Sequence, residues 1–110
     1  MSRPELGELV AKARQVQERL AEVQRDLAQR RVEGSAGGGM VSAVATGELR
    51  IAELRIEPEL LRSGDREMLQ DLVAAAVNAA LANAQRLIQE EMQRVSAGLS
   101  IPLPPGPSGG

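Results

Sequence analysis

Cysteine, histidine, phenylalanine, tyrosine and tryptophan are all absent from the 110 residues. Each absence closes off a class of chemistry. Without cysteine there are no disulfides, thiolate nucleophiles or thiolate metal sites. Without histidine the chain lacks the usual general base at neutral pH and the commonest metal ligand. Without aromatic rings there is no stacking platform for single-stranded nucleic acid. The core must then be built from Leu, Ile, Val, Met and Ala, which bury less area than rings do.

Long apolar runs are missing as well. The alanine-rich stretches are interrupted by Asn and Gln, and none approaches the ~20 residues that cross a bilayer. The opening MSRPELGELV is charged and lacks the apolar segment of a secretory signal. The expectation is a cytoplasmic protein with no membrane partner. A single short domain with such small side chains has a thin hydrophobic margin by itself, so a homo-oligomer is expected, most simply a twofold dimer.

What is present is charge, unevenly placed. Overall, 13 Lys and Arg face 15 Asp and Glu, for a net charge of −2. Residues 1–31 carry seven cations against five acids, residues 32–75 four against eight, and residues 76–110 two against two. The acidic total argues against nucleic acid, which favours basic proteins; the first segment is the least acidic part.

In that segment Leu6, Leu9, Ala13, Val16, Leu20, Val23 and Leu27 step alternately by three and four. This spacing predicts a helix over about 4–30 with a heptad seam against another long helix. Ser2 is a candidate cap, and Pro4 suits the first helical turn.

The period then changes to two. Val32 opens a strand predicted to end at Gly34, after the first strand residues from about 31. Along the second strand Val41, Ala43 and Ala45 oppose Met40, Ser42, Val44 and Thr46. Gly47-Glu48 fits a two-residue turn. Beyond it Ala52, Leu54 and Ile56 share a face, until Pro58 ends the ladder. A three-stranded antiparallel meander over about 31–57 follows. Residues 59–63 read as one helical turn, and Ser63 or Asp65 as the cap of a second long helix over about 65–96. Leu69, Leu72, Val73, Ala76, Ala80, Ala84, Leu87 and Ile88 form its apolar stripe, with Val77, Leu81, Met92 and Val95 beside them. Gly98 reads as its terminator. The expected organisation is one domain over 1–98, of α+β class in the order α-β-β-β-α, and a Pro/Gly-rich disordered tail over 99–110. Each helix would span ~38–45 Å, longer than a compact domain of ~13 Å radius of gyration holds. Their ends must protrude as arms or pair with a partner's arms.

The cluster Gly34-Ser35-Ala36-Gly37-Gly38-Gly39 raises the question of a phosphate cradle. A P-loop needs Lys-Ser/Thr and then a helix; Met40-Val41-Ser42 follows in a strand pattern, so the cluster reads as a hairpin connection. No βαβ unit supports a dinucleotide site. Glu90 and Glu91 are adjacent on a helix and point ~100° apart, so they form no facing pair. No metal, cofactor or small-molecule substrate is expected, and no catalysis. The cations of the first helix admit two readings: a solvated face of mixed sign, with Arg19 reaching Glu22, or phosphate contact with duplex DNA by Arg3, Lys12, Arg14 and Arg19 on a protruding arm.

The stretches AKARQVQERLAEVQRDLAQRRVEG, GGGMVSAVATGEL, LRIEPELL, GDREMLQDLVAAAVNAAL and SAGLSIPLPPG, in this order, make the chain resemble the YbaB/EbfC family of bacterial nucleoid-associated proteins. The resemblance implies an α-β-β-β-α fold, a tweezer-shaped homodimer, binding of duplex DNA with alteration of its conformation, and roles in nucleoid organisation and gene regulation. It implies no enzyme activity or cofactor. The expected DNA contacts are Arg3, Lys12, Arg14, Arg19, Arg86 and Arg94. The expected dimer or core seam is Leu9, Val16, Leu20, Val23, Val73, Ala76 and Ala80. Departures are Val77 where an aromatic is common, Arg for most of the Lys of the first helix, and a tail ending in PGPSGG. A second expectation is a protein-interaction scaffold using the heptad stripe.

Overall fold

A computed structural model describes residues 4–99. The candidate cap Ser2, the candidate contact Arg3 and the tail beyond Leu99 lie outside the described residues. The order is α1 (Pro4–Gln29), β1 (Arg31–Ala36), β2 (Val41–Thr46), β3 (Ile51–Ile56), α2 (Pro58–Arg62) and α3 (Arg66–Leu99). The sheet is an antiparallel meander in the order β1-β2-β3. The α-β-β-β-α architecture expected from the sequence is present, with α2 as a single short turn that begins at Pro58.

The boundaries have local causes. Asp65 caps α3: its Oδ1 accepts the Met68 N–H at 3.0 Å. Gly98 does not terminate α3, which continues to Leu99; a helix stop of that kind needs a left-handed residue, and Gly98 is not among the positive-φ glycines. β1 runs past Gly34 to Ala36 because Ser35 and Ala36 still pair with Ser42 and Val41. The turn is made instead by Gly37, Gly38 and Gly39, with φ of 64°, 67° and 96°.

The second connection also differs from expectation. It spans residues 47–50, closed by the Thr46 N–H on the Arg50 carbonyl at 2.8 Å and the Leu49 N–H on the Thr46 carbonyl at 2.9 Å. The left-handed residue is Leu49, with φ 62°, not Gly47. Gly47 instead serves packing. Its N–H donates to the Leu27 carbonyl at 3.0 Å, and an added Cβ would lie 2.3 Å from that oxygen. A bulge at Val44/Ala45 then sets Ile51 opposite Ala45, so Ile51, rather than Ala52, joins the side of Leu54 and Ile56. Leu49→Gly should raise stability by about 1 kcal/mol by removing left-handed strain. Thermal melts check this; an unchanged or lower Tm would contradict it.

α3 lies across β1 and β2 and scarcely touches β3. Val41, Ala43 and Ala45 meet Ala76, Ala80 and Ala84 there, all with no exposed surface. Small side chains on both layers let the helix sit close to the sheet. A second cluster joins α1 to the far half of α3: Val23, Leu27, Leu87 and Val95, flanked by Leu20, Ile88 and Met92. These two clusters leave much of the chain outside any compact body. The molecule measures 78 × 27 × 16 Å with a radius of gyration of 20.2 Å, against ~13 Å for a compact domain of similar length.

Candidate nucleic-acid interface

The far half of α3 and α1 form a two-helix arm leaving the sheet. Along α1, residues 5–15 are exposed throughout and Val16 is the first partly covered side chain. The heptad seam is therefore engaged from Val16 to Leu27 and bare before it. Leu6, Leu9 and Val10 are 57, 64 and 52% exposed. Of the expected seam, Val23 is buried in the α1–α3 cluster, with Leu20 packed beside it. Ala76 and Ala80 are fully buried, and Val73 packs against their cluster. Leu9 touches neither.

The cations divide by position. Glu5 and Glu8 make the tip of α1 acidic, whereas residues 12–31 carry Lys12, Arg14, Arg19, Arg25, Arg30 and Arg31 against Glu18, Glu22 and Asp26. This middle band has a net charge of +3. Lys12 and Arg19, a heptad apart, lie within about 20° of one another and ~10 Å apart along the axis. Arg14 and Arg25, eleven residues apart, share the other face at ~16 Å spacing. Lys12, Arg14 and Arg25 form no ion pair among the described residues. Arg19 Nη1 lies 3.2 Å from Glu22 Oε2, with both side chains more than half exposed, a pair of little energetic weight.

On α3 the expected contacts separate. Arg86 Nη1 donates to Asn83 Oδ1 at 3.4 Å, while Asn83 Nδ2 donates to the Glu33 carbonyl at 2.9 Å and so blunts the β1 edge. Arg94 Nη1 donates to Glu91 Oε1 at 3.0 Å. The same oxygen lies 3.7 Å from Arg30 Nη1. The structure thus brings Arg94 together with Arg30, which spacing along the chain does not reveal: the partners are far apart in sequence and meet only through the α1–α3 register.

A second surface is apolar. On the α3 side of β3, Ile51 and Leu54 remain 39 and 42% exposed, and Leu49 beside them 43%, because α3 stops short of this strand.

The glycine-rich segment is a turn between β1 and β2 with no helix after it. Among the described residues no group of three or more carboxylates converges as a metal-ligand set, and no helix is long and apolar enough to cross a membrane.

The family model of the YbaB/EbfC DNA-binding family matches residues 2–99. A nucleoid-associated protein of Caldanaerobacter subterraneus is 43% identical over 97 residues, covering 88% of this chain and 87% of its own. Another, of Chlorobium chlorochromatii, is 41% identical over 102 residues, covering 93% and 90%. The crystal structure of an uncharacterized protein from Helicobacter pylori has a similar fold, with a TM-score of 0.62 at 21% identity over 91% of this chain and 98% of that one.

Proposed function

The chain belongs to the YbaB/EbfC DNA-binding family, and from that premise we propose that it binds duplex DNA as a homodimer in the bacterial nucleoid, alters the duplex's conformation, and acts in nucleoid organisation and gene regulation without catalysing a reaction. The observation that carries this reading is the cationic band over residues 12–31 on an arm of a molecule 78 Å long. A band on a rod suits phosphates, which lie along a line and take Arg in bidentate fashion. The acidic total of the chain is no obstacle, because the excess acid lies in residues 32–75, outside α1 and the far half of α3.

The exposed side of β3 supports dimerisation. Leu49, Ile51 and Leu54 form an apolar row that the described residues leave about 40% exposed. The small core leaves stability to gain from burying that row against its own copy, and a twofold pairing presents the same row from both sides. Two arms would then project from one body.

Arg14→Glu together with Arg19→Glu tests the phosphate contacts. Duplex affinity should fall at least about tenfold, and the slope of log affinity on log salt should flatten by ~0.9 for each phosphate no longer neutralised, with the dimer intact.

A second reading has its own observation. The tip carries exposed Leu6, Leu9 and Val10 beside Glu5 and Glu8, a surface suited to a protein rather than a phosphate. As an interaction scaffold the chain would engage its partner through this bare heptad stripe. An unaltered gel shift after the double charge reversal would favour it and remove α1 from the DNA interface.

A further inference from the structure

Glu91 is the buried charged residue among the described residues, 9% exposed. It sits on α3 between Leu87 and Val95, each one turn away and each buried in the α1–α3 cluster. A carboxylate in such a place carries a desolvation cost that only close cations offset, and an apolar side chain there would pack without that cost. Stability of the cluster is therefore a poor reason for an acid at this position.

Its partners suggest another reason. Glu91 Oε1 accepts from Arg94 Nη1 at 3.0 Å and lies 3.7 Å from Arg30 Nη1. Arg94 belongs to α3, and Arg30 follows the last residue of α1. Asp26, one turn before Arg30, is 3.8 Å from the same guanidinium. The arginine side chains remain 46% and 73% exposed for Arg30 and Arg94 while Glu91 is only 12% exposed. One oxygen thus faces two guanidiniums from the two helices of the arm. Each guanidinium has five N–H donors, more than the contact with Glu91 uses.

We propose that Glu91 is a positioning residue of the DNA interface: it clamps α1 to α3 at the arm root and holds Arg30 and Arg94 side by side as a two-arginine phosphate contact. This rests on the reading that the arm meets duplex DNA. The clamp reverses the sign that charge counting gives. Glu91→Gln raises the net charge from −2 to −1 per chain, so a smaller repulsion alone would tighten DNA binding. Under the clamp, the two arginines repel across a neutral amide, the helices splay, and binding weakens.

The test uses the full-length chain. Since it has no cysteine, spin labels can be placed at Gln17→Cys on α1 and Gln89→Cys on α3, in labelled chains diluted with unlabelled ones. Glu91→Gln should broaden the distance distribution between the labels and weaken binding of a random-sequence duplex about tenfold, the scale of removing one charge-assisted hydrogen bond. The salt slope should flatten as well. Arg30→Gln should do the same, and the double variant should broaden the distribution no further than either single one. Circular dichroism checks the fold; should Glu91→Gln fail to fold, Arg30→Gln reports on the same contact from a half-exposed position. Binding by Glu91→Gln as tight as or tighter than the parent, or an unchanged distribution, overturns the proposal. Absence of salt-dependent duplex binding by the parent protein overturns the DNA reading instead, and the label distances separate the two failures.

Discussion

Gly34→Ala should lower stability by about 3 kcal/mol, the upper range for overpacking, and the Tm by roughly 10–20 °C for a domain of this size. An added Cβ at Gly34 would stand 2.2 Å from the Ala80 nitrogen and 2.6 Å from the Ala79 carbonyl carbon. These are backbone atoms of α3, so no side chain can turn aside; the helix itself must lift from β1. Lifting it opens the contacts of Ala76, Ala80 and Ala84 with β2, where every partner is already fully buried. The effect is a large part of the 5–15 kcal/mol that holds ordinary domains together. Gly38→Ala is the control. Nothing lies within 4 Å of its Cβ position although φ is 67°, so it should cost only about 1 kcal/mol of backbone strain. Equal effects at the two sites in thermal melts would contradict the close helix–sheet approach.

Leu54→Asp should convert the proposed dimer to monomers while leaving the protomer folded, and should weaken duplex binding about a hundredfold or more. Leu54 is 42% exposed within one chain, and surface substitutions of that kind usually alter stability by only ~0.5 kcal/mol. Within a twofold interface the same change buries two carboxylates among apolar side chains, which is strongly unfavourable. Separated protomers would each carry one arm. Two linked arms gain ~10²–10⁴ in avidity over one, and the monomer forfeits that factor. Sedimentation or mass photometry, run beside a gel shift, reads both outcomes. A Leu54→Asp protein that remains dimeric would move the interface away from β3.

The elements of the fold are legible in the sequence because each follows from local spacing or from a residue with one conformational use. The step of three and four from Leu6 to Leu27 specifies a helix, and Pro58 bars the strand from continuing and opens α2. Where the stripe ceases to be covered is not legible. Leu9 and Val16 are equivalent by period, yet Leu9 is exposed and Val16 half-buried. Gly47 is a residue that composition assigns to a turn, yet its proton and its missing side chain serve the docking of α1, while Leu49 takes the left-handed position. The bulge that moves Ile51 onto the face of Leu54 depends on two strands at once.

The interface divides in the same way. The band of cations on α1 can be counted from the chain. The meeting of Arg30 and Arg94 on Glu91 cannot, since it requires the antiparallel passage of α1 along α3. Glu91 next to Glu90 reads in sequence as one of two adjacent acids that form no facing pair; in the fold it is buried and faces arginines from both sides of the arm.

Paired arms that grip a duplex by its phosphates must bind in a salt-dependent way. The affinity of the dimer for a random-sequence duplex, followed by fluorescence anisotropy from about 50 to 200 mM salt, reads this over a range where phosphate-dominated binding weakens steeply. Log affinity should fall linearly with log salt at a slope steeper than about −3, corresponding to more than three phosphates neutralised. A slope near zero, with the dimer intact across the titration, would contradict the phosphate grip.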